Sequence, residues 1–372
     1  MSVGSQRPVL ITAGGTGGHV YPGLAVARAL QAQGIPVVWM GTHKGLEARV
    51  IPEAGIEMAW LDVSGLRGKG VMTLLAAPFK LVRALYQSVA IMRKHKPLAV
   101  LGMGGFVAGP GGLVASLMGI PLVIHEQNAV PGLTNRLLSK FSAKVLEGFP
   151  GSFVQAKSKA VPIGNPVRKD IAELPSPAER MVSHKGKLRV LVVGGSLGAQ
   201  ALNETVPAAL AELAPDMRPL VRHQAGRDKD QMTREQYARY SVDAQISPFI
   251  EDMAEAYAWA DVVICRSGAL TVAELAAAGV ASVLVPYPYA VDDHQTANGL
   301  YLSENGAAVL LSQTELTASA LAGHLENMTQ APERLLQMAE KARELARPNA
   351  TAEVAAMVAA LAGYRFNAEV VA

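Results

Sequence analysis

The feature that most constrains the fold is a glycine-rich turn that occurs twice, 180 residues apart. Residues 9–30 read VLITAGGTGGHVYPGLAVARAL, and residues 189–210 read RVLVVGGSLGAQALNETVPAAL. In both segments the turn follows an apolar, β-rich run and precedes a helical pattern. Strands that alternate with helices predict parallel sheets with helices on both faces. The repeat therefore predicts two similar α/β domains of the Rossmann type.

The length of 372 residues agrees with two domains of about 100–200 residues each. Each half also contains a later glycine turn, a small-residue helix and an apolar strand, in MGGFVAGPGGLVASLMGIPLVI and in CRSGALTVAELAAAGVASVLVP. We place the boundary near GNPVRKD (164–170). The prediction is a first domain of residues 1–165 and a second of residues 166–347, facing each other across a cleft.

Composition excludes several other classes of protein. Half of the residues are hydrophobic and 17% are charged, which excludes intrinsic disorder. A single cysteine cannot form an intrachain disulfide or a Cys-based zinc site, and this favours a reducing compartment. The first apolar run is too short for a signal peptide.

The net charge of +3 hides a local asymmetry. Residues 63–125 contain no Asp or Glu, yet they carry Arg67, Lys69, Lys80, Arg83, Arg93, Lys94 and Lys96. The rest of the chain has 27 Lys and Arg against 31 acidic residues. One local basic patch argues against general nucleic-acid binding and predicts an anionic partner that docks at one place.

Two apolar segments within this region bear on membrane association. Residues 97–124 are uncharged but rich in Gly and Pro, so we predict a strand (98–101), a glycine-rich loop, a short helix (113–118) and a strand (121–124) instead of a membrane span. Residues 71–92 form a wide apolar surface with a basic edge. This surface suits either a core-packing helix or an interfacial helix on anionic lipid.

The glycine turns predict an anionic ligand. A turn between strand and helix lets a ligand approach the backbone and directs N–H groups and the helix dipole at it. Neither turn is a true G-x-G-x-x-G, and the second strands end without the acidic residue that binds a ribose diol in NAD sites. NAD binding is therefore disfavoured, and the pattern suits a glycosyltransferase that uses a nucleotide sugar.

Three side chains near the turns have chemistry suited to such a transfer. His19 begins the first helix, where the helix dipole favours a neutral imidazole able to accept a proton; a His bonded to a local carbonyl is the alternative. Ser196 is expected to donate to a phosphate, to cap the helix, or both. Arg168 is expected either to neutralise a departing diphosphate or to be an ordinary surface arginine.

Other polar groups follow predicted strands, where open α/β sheets bind ligands. Glu274 lies two helical turns after Gly268 and could accept both ribose hydroxyls, with a solvated helix Glu as the alternative. Residues 125–128 (HEQN) and 292–295 (DDHQ) each end a strand. No second ligand cluster supports a metal site beside 292–295, and the acid-x-acid pattern at 228–230 is expected to be solvated.

Six motifs occur in order between about residues 10 and 306: GGTGGHVYPGLAVA, GGFVAGPG, IHEQNAVPG, GNPVR, GGSLGAQALN and RSGALTVAELAAAG…P…DDHQTANG. Together they resemble the MurG family, bacterial transferases that move N-acetylglucosamine from UDP-N-acetylglucosamine to undecaprenyl-diphosphate-linked N-acetylmuramyl-pentapeptide. The resemblance implies a GT-B fold and an inverting transfer that uses no metal or other cofactor. It also implies a role in peptidoglycan synthesis, with peripheral attachment to the anionic cytoplasmic face of the inner membrane.

The resemblance also implies that the two domains bind different substrates. The first domain would bind the lipid acceptor at the membrane, the second would bind the donor, and a C-terminal helix within 348–372 would pack back on the first domain. His19 would be the general base, with Glu126 as its partner or rival.

The donor-binding positions implied by the resemblance form the following set: Thr16, Gly17, Gly18 and Asn128 at the sugar or diphosphate; Arg168 and Ser196 at the diphosphate; the backbone of Ile250 at the uracil; Ala269, Leu270, Thr271, Val272, Ala273 and Glu274 at the diphosphate and ribose; and Gln295, with His294, at the sugar. Some family members carry an inserted residue near 292–295. Which side chain there contacts the sugar therefore stays open.

Two other kinds of function remain open on the sequence. Another UDP-sugar enzyme of the same fold, such as a diacylglycerol glycosyltransferase or a UDP-N-acetylglucosamine 2-epimerase, would use similar turns. A non-catalytic sensor of a nucleotide sugar at the membrane would also fit. The epimerase would leave the acid-free apolar stretch without a role, because it needs no lipid acceptor.

Overall fold

The structure is a computed structural model that describes residues 6–62, 77–182 and 186–368. The chain divides into two compact units, one of Met1–Pro166 with Asn349–Ala372 and the other of Val167–Pro348. Arg67, Lys69 and residues 71–76 of the predicted apolar surface lie outside the described residues.

The described residues of the first unit form a sheet of seven parallel strands in the order β3-β2-β1-β4-β5-β6-β7. The strands are β1 (Val9–Thr12), β2 (Val37–Gly41), β3 (Glu57–Trp60), β4 (Ala99–Gly102), β5 (Leu122–Glu126), β6 (Lys144–Glu147) and β7 (Ala160–Pro162). The helices are α1 (Gly17–Ala32), α2 (Glu47–Glu53), α3 (Ala77–His95), α4 (Gly105–Leu117) and α5 (Leu133–Leu138), with a 3-10 turn at Val154–Ala156. Continuous apolar runs such as VLIT become central strands because helices cover both faces of the sheet.

The described residues of the second unit form a sheet of six parallel strands in the order β10-β9-β8-β11-β12-β13. The strands are β8 (Arg189–Val193), β9 (Leu220–Gln224), β10 (Gln245–Ser247), β11 (Val262–Cys265), β12 (Ala281–Leu284) and β13 (Ala308–Leu310). The helices are α6 (Lys169–Ala172), α7 (Pro177–Val182), α8 (Gln200–Glu212), α9 (Asp230–Arg239), α10 (Met253–Trp259), α11 (Ala269–Ala278), α12 (His294–Ser303), α13 (Ala318–Gln330) and α14 (Pro332–Glu344), with a 3-10 turn at Val291–Asp293.

Both glycine turns lie where the strand order reverses. β1 pairs in parallel with β2 on one side and β4 on the other, and β8 pairs in the same way with β9 and β11. In open α/β sheets, ligands bind at the carboxyl ends of the strands at this switch point. The topology therefore gives each unit one favoured ligand-binding edge, and the turns occupy it.

The last helix, α15 (Ala350–Leu361), belongs to the first unit, although it follows the second unit in the chain. It packs against α1. Its residues Val354, Ala355 and Val358 are fully buried in the same apolar cluster as Val20 and Leu30 of α1. The first unit is thus built from both ends of the chain.

The glycine-rich loop predicted before the short helix of residues 113–118 is wrong, because the helix, α4, already begins at Gly105. The glycines are tolerated inside this helix because it packs too closely for larger side chains. A Cβ on Gly111 would lie 2.8 Å from Met40 Sδ, and a Cβ on Gly112 would lie 2.8 Å from Leu138 Cδ1. Close packing on the sheet and on α5 thus overrides the low helix propensity of glycine.

Helix α3 has features of both alternatives considered for residues 71–92, a core-packing helix and an interfacial helix. Ala84, Ser88 and Met92 are buried on the face that packs toward α4. Phe79 and Tyr86, by contrast, are 80% and 76% exposed. Among the described residues, no helix combines the length and apolarity needed to cross a membrane.

Candidate functional site

The glycine turn of the first unit leads from β1 into α1. Gly15 has φ +97°, a conformation that glycine adopts without strain, and α1 begins at Gly17 with Thr16 as the N-cap residue. The Thr16 side chain makes no capping hydrogen bond. Since the first-turn N–H groups of a helix lack intrahelical acceptors, Thr16, Gly17 and Gly18 present donors suited to a phosphate or a sugar hydroxyl.

A buried carboxylate that the sequence did not reveal holds this turn. Glu47, at the start of α2, is fully buried and accepts hydrogen bonds from the Gly15 N–H (3.1 Å), the Thr42 N–H (3.0 Å) and the Thr42 hydroxyl (2.8 Å). A Cβ on Gly14 would lie 2.6 Å from Glu47 Oε1. Glu47 therefore shapes the turn from a position 32 residues away in the chain.

His19, in the first turn of α1, is connected to the end of β5. Its Nδ1 lies 2.8 Å from Gln127 Oε1, and Gln127 Nε2 lies 3.1 Å from His125 Nδ1. His125 Nε2 in turn lies 2.9 Å from the Gly164 carbonyl oxygen. His125 is fully buried, and this burial lowers its pKa to about 4, partly opposed by the hydrogen bond to Gly164. The imidazole of His125 is consequently neutral at physiological pH.

Glu126 is buried, and its carboxylate is occupied by four N–H groups. Oε1 accepts from the Asn128 N–H (3.1 Å) and Asn128 Nδ2 (3.0 Å), while Oε2 accepts from the Gly132 N–H (3.1 Å) and Asn135 Nδ2 (3.0 Å). These four hydrogen bonds tie the loop that follows β5 to the Glu126 side chain. The same bonds orient Asn128, one of the predicted donor-binding residues.

The glycine turn of the second unit is built differently from the first. Gly195 and Gly198 have φ of +80° and +70°, and α8 begins only at Gln200, with Ala199 as its N-cap. The alternative role of Ser196 as a helix cap is therefore wrong, because Ser196 lies exposed in the turn itself. Buried Gln224 holds the turn by accepting from the Gly195 N–H (3.1 Å) and donating to the Gly195 carbonyl (3.0 Å).

Glu274 is not a solvated helix residue. Its Oε2 accepts a hydrogen bond from the Tyr257 hydroxyl (3.1 Å), and its Oε1 lies 3.4 Å from an Arg168 guanidinium nitrogen. Burial raises the pKa of the Glu274 carboxyl, while Arg168 and the Tyr257 hydroxyl act to lower it. Burial, with Glu274 nearby, holds the pKa of Tyr257 well above its usual range, so its hydroxyl stays a donor. The structure thus brings the two predicted residues Arg168 and Glu274 together.

The start of α11 supplies further donors beside Glu274. Gly268 is the N-cap residue, with no side-chain cap, so the N–H groups of Ala269, Leu270 and Thr271 lack intrahelical acceptors. Val272 is fully buried, and Ala273 is half-buried on the helix that carries Glu274. The N-terminal turn of α11 therefore suits a diphosphate, and its second turn suits a ribose.

Of the remaining predicted residues, Ile250 lies in the loop after β10, and His294 and Gln295 begin α12. Half-buried Ile250 follows β10, and its backbone N–H and carbonyl make no hydrogen bond to another described residue. Gln295 Oε1 accepts from the Tyr287 N–H (2.9 Å), whereas His294 Nδ1 donates to the Val291 carbonyl (2.7 Å). Neither side chain makes a hydrogen bond to Glu274, Ser196 or Ile250 within the described part of the chain.

No group of three or more His, Cys, Asp or Glu side chains among the described residues has the arrangement of a metal site. The residues that sequence reasoning missed are Glu47, Gln224 and Tyr257. Their partners lie 32, 29 and 17 residues away in the chain. No local pattern marks such contacts.

Comparison with known proteins agrees with this geometry. Residues 9–147 match the glycosyltransferase family 28 N-terminal domain, and residues 189–354 match the glycosyltransferase family 28 C-terminal domain. A protein of Alkalilimnicola ehrlichii is 58% identical over 348 residues, covering 94% of this chain and 97% of its own. A protein of Pseudomonas fluorescens is 52% identical over 346 residues, covering 93% and 96%. Both carry the name UDP-N-acetylglucosamine--N-acetylmuramyl-(pentapeptide) pyrophosphoryl-undecaprenol N-acetylglucosamine transferase.

Among solved structures, the crystal structure of Acinetobacter baumannii MurG is 44% identical, with a TM-score of 0.82 and coverage of 95% of this chain and 99% of that one. The predicted fold class, GT-B with two Rossmann-like parallel-sheet domains, is confirmed. Identity above 50% across nearly the whole of both relatives also confirms the resemblance inferred from the motifs. The chain belongs to glycosyltransferase family 28 and, within it, to the MurG family of N-acetylglucosamine transferases.

Proposed function

We propose that this protein transfers N-acetylglucosamine from UDP-N-acetylglucosamine to the 4-hydroxyl of undecaprenyl-diphosphate-linked N-acetylmuramyl-pentapeptide, converting lipid I to lipid II in peptidoglycan synthesis. The observation that carries the proposal is the 58% identity over 94% of the chain to a relative whose name states these substrates. The protein is a UDP-N-acetylglucosamine-dependent glycosyltransferase, and the epimerase and diacylglycerol alternatives are disfavoured.

In this reaction the acceptor hydroxyl attacks the anomeric carbon from the face opposite UDP, which inverts the configuration. A base has to remove the hydroxyl proton. We assign this role to His19, which is half-buried and whose Nε2 makes no hydrogen bond to any described residue. Glu126 as the base is less favoured, since four N–H donors already occupy its carboxylate.

The second unit would hold the donor. The N–H groups at the start of α11, the Ser196 hydroxyl and Arg168 would stabilise the diphosphate as negative charge develops on it. Glu274, oriented by Tyr257, would accept the ribose hydroxyls. The backbone of Ile250 would bind the uracil edge, and Gln295 would bind the sugar. His294 is less favoured for the sugar because its Nδ1 already donates to Val291.

The first unit would hold the lipid acceptor and contact the membrane. Exposed Phe79, Val82 and Tyr86 project from α3, and basic Lys80 and Arg93 lie on the same helix. Large apolar side chains beside cations suit the interface of an anionic bilayer. We propose peripheral attachment through this surface, at the cytoplasmic face of the inner membrane, where the nucleotide donor is available.

Purified protein with UDP-N-acetylglucosamine, assayed with and without the lipid-linked acceptor, separates the candidate functions. A MurG-type transferase releases UDP only when the muramyl-lipid is present. An epimerase converts the donor without it, and a sensor binds donor without turnover. In the same assay His19→Ala should lower kcat by about 100-fold or more while donor binding stays near normal. Unchanged turnover would exclude His19 as the base.

Liposome flotation tests the membrane surface separately. A Phe79→Ser and Tyr86→Ser double variant should float less with anionic vesicles than the unaltered protein, while retaining binding of UDP-N-acetylglucosamine. Leu220→Ser, which changes a 51% exposed apolar residue in the second unit, is the matched control. Equal flotation of both variants, or flotation that does not depend on lipid charge, would count against the proposed surface.

A further inference from the structure

The hydrogen-bond chain from His19 through Gln127 and His125 ends at the Gly164 carbonyl oxygen, which can only accept a hydrogen bond. The Gly164 carbonyl oxygen lies 2.9 Å from His125 Nε2, so that nitrogen must carry a proton. His125 is fully buried, and its pKa is lowered to about 4. A neutral imidazole has one ring proton, and therefore His125 Nδ1 presents a lone pair.

This lone pair determines the orientation of the Gln127 amide. The Gln127 amide nitrogen lies 3.1 Å from His125 Nδ1 and is the group that can donate to it. The opposite orientation would place the amide oxygen against a lone pair, unless the buried His125 took a second proton. The amide oxygen therefore faces His19, 2.8 Å from Nδ1.

We infer that Gln127 and His125 are positioning residues that hold His19 as the tautomer protonated on Nδ1, so that Nε2 is the atom that accepts the proton in the transfer reaction. The inference rests on the proposed role of His19 as the base. It goes beyond that role by naming the reactive nitrogen and the two side chains that determine it.

The backbone carbonyl groups of His125 and Gln127 also accept hydrogen bonds, from two asparagine side chains. Asn135 Nδ2 donates to the His125 carbonyl (3.1 Å), and Asn165 Nδ2 donates to the Gln127 carbonyl (2.9 Å). The His19 ring also lies close to Gly104, where an added Cβ would be 3.0 Å from His19 Cε1 and Nδ1. The lack of a side chain at residue 104 thus leaves room for the His19 imidazole, and the Gln127 amide oxygen orients it.

The proton then has one route. As the acceptor 4-oxygen forms its bond to the anomeric carbon, its proton passes to the lone pair of His19 Nε2. The bond from the anomeric carbon to the donor diphosphate breaks, and its electron pair leaves with UDP. His19 becomes an imidazolium whose Nδ1–H still donates to Gln127 Oε1, so no side chain has to rearrange during the step.

The experiment is a long-range ¹H–¹⁵N spectrum of the full-length protein labelled at histidine, which reports the tautomer of each neutral imidazole. His19 is assigned by its loss in His19→Gln, and His125 by its loss in His125→Asn. We expect His19 protonated on Nδ1 and His125 protonated on Nε2. A His19 signal protonated on Nε2 would overturn the inference, and this readout requires neither activity nor a position-127 variant.

Gln127→Met removes both amide contacts at similar length. We expect His19 to move toward the Nε2–H form that imidazole prefers in water, and kcat to fall about 10- to 100-fold with little change in KM for the donor. Gln127→Glu retains an oxygen for the His19 Nδ1–H but loses the donor to His125 Nδ1, so it should keep the His19 tautomer and a higher kcat than the Met variant, while the signals of His125 change. Gln155→Met, an exposed position of the same unit, is the matched control.

The outcomes separate this inference from the proposed function. An unchanged His19 tautomer and an unchanged kcat in Gln127→Met would overturn the positioning role. A His19 protonated on Nδ1 together with full activity of His19→Ala would leave the structural part standing and refute His19 as the base.

Discussion

Replacing Glu126 with glutamine tests whether this carboxylate orders the loop after β5 or acts as the base. Each carboxylate oxygen accepts two N–H groups at 3.0–3.1 Å. A glutamine amide keeps one accepting oxygen, and its NH₂ group faces the other pair of donors. Two N–H groups then lose their acceptor, and at least one of them is only partly buried, so each loss costs toward the lower end of about 1–3 kcal/mol. We therefore expect the free energy of unfolding to fall by about 2–4 kcal/mol.

Urea unfolding measures this loss, and amide hydrogen exchange locates it. The backbone amides of Asn128 and Gly132 donate to Glu126, so they should exchange faster in the variant. Glu304→Gln makes the same charge change at an exposed site of the second unit and should leave both measurements unchanged. Unaltered stability and exchange in Glu126→Gln, together with kcat as low as in His19→Ala, would refute the reasoning and make Glu126 the base.

Three further predictions concern buried groups. Tyr257→Phe removes the hydroxyl that orients Glu274, so KM for UDP-N-acetylglucosamine should rise about 3- to 10-fold with a smaller change in kcat. An unchanged KM in steady-state kinetics would contradict the orienting role of Tyr257. His125 and His223 are buried with pKa values of about 4 and about 3, below the unfolded value of about 6.5. The unfolded state therefore binds more protons as the pH falls. Each His should lower the free energy of unfolding by about 2 kcal/mol at pH 5 relative to pH 8. Urea titrations at several pH values measure this loss, and a flat profile would contradict it. Burial raises the pKa of the Cys265 thiol to about 12, so a thiol reagent at pH 8 should label it only after unfolding, and rapid labelling of the folded protein would contradict its burial.

The strand–turn–helix units were predictable because their signal is local. An apolar run, a glycine turn and a helical pattern follow one another within about 20 residues. The polar residues that end β5 were predictable for the same reason, since the carboxyl ends of parallel strands share one edge of a sheet. Six ordered motifs then identified the family and, through it, the positions of the candidate site.

What the sequence could not supply is the partner of each buried polar group. The contact between His19 and Gln127 spans 108 residues, and the contact between Glu47 and Gly15 spans 32. Such pairs depend on which strands are neighbours, and no local spacing records that order. The first half of helix α4 was missed for a related reason, because its glycines are required by the close approach of Met40 and Leu138.

The most direct test of the account is the product formed by the purified protein from UDP-N-acetylglucosamine labelled with ¹³C at the anomeric carbon and undecaprenyl-diphosphate-linked N-acetylmuramyl-pentapeptide. We expect the label to appear in the lipid fraction as a β-linked disaccharide, with one UDP released for each acceptor consumed. Label that stays in a nucleotide sugar, or that reaches the lipid with the α configuration, would contradict it.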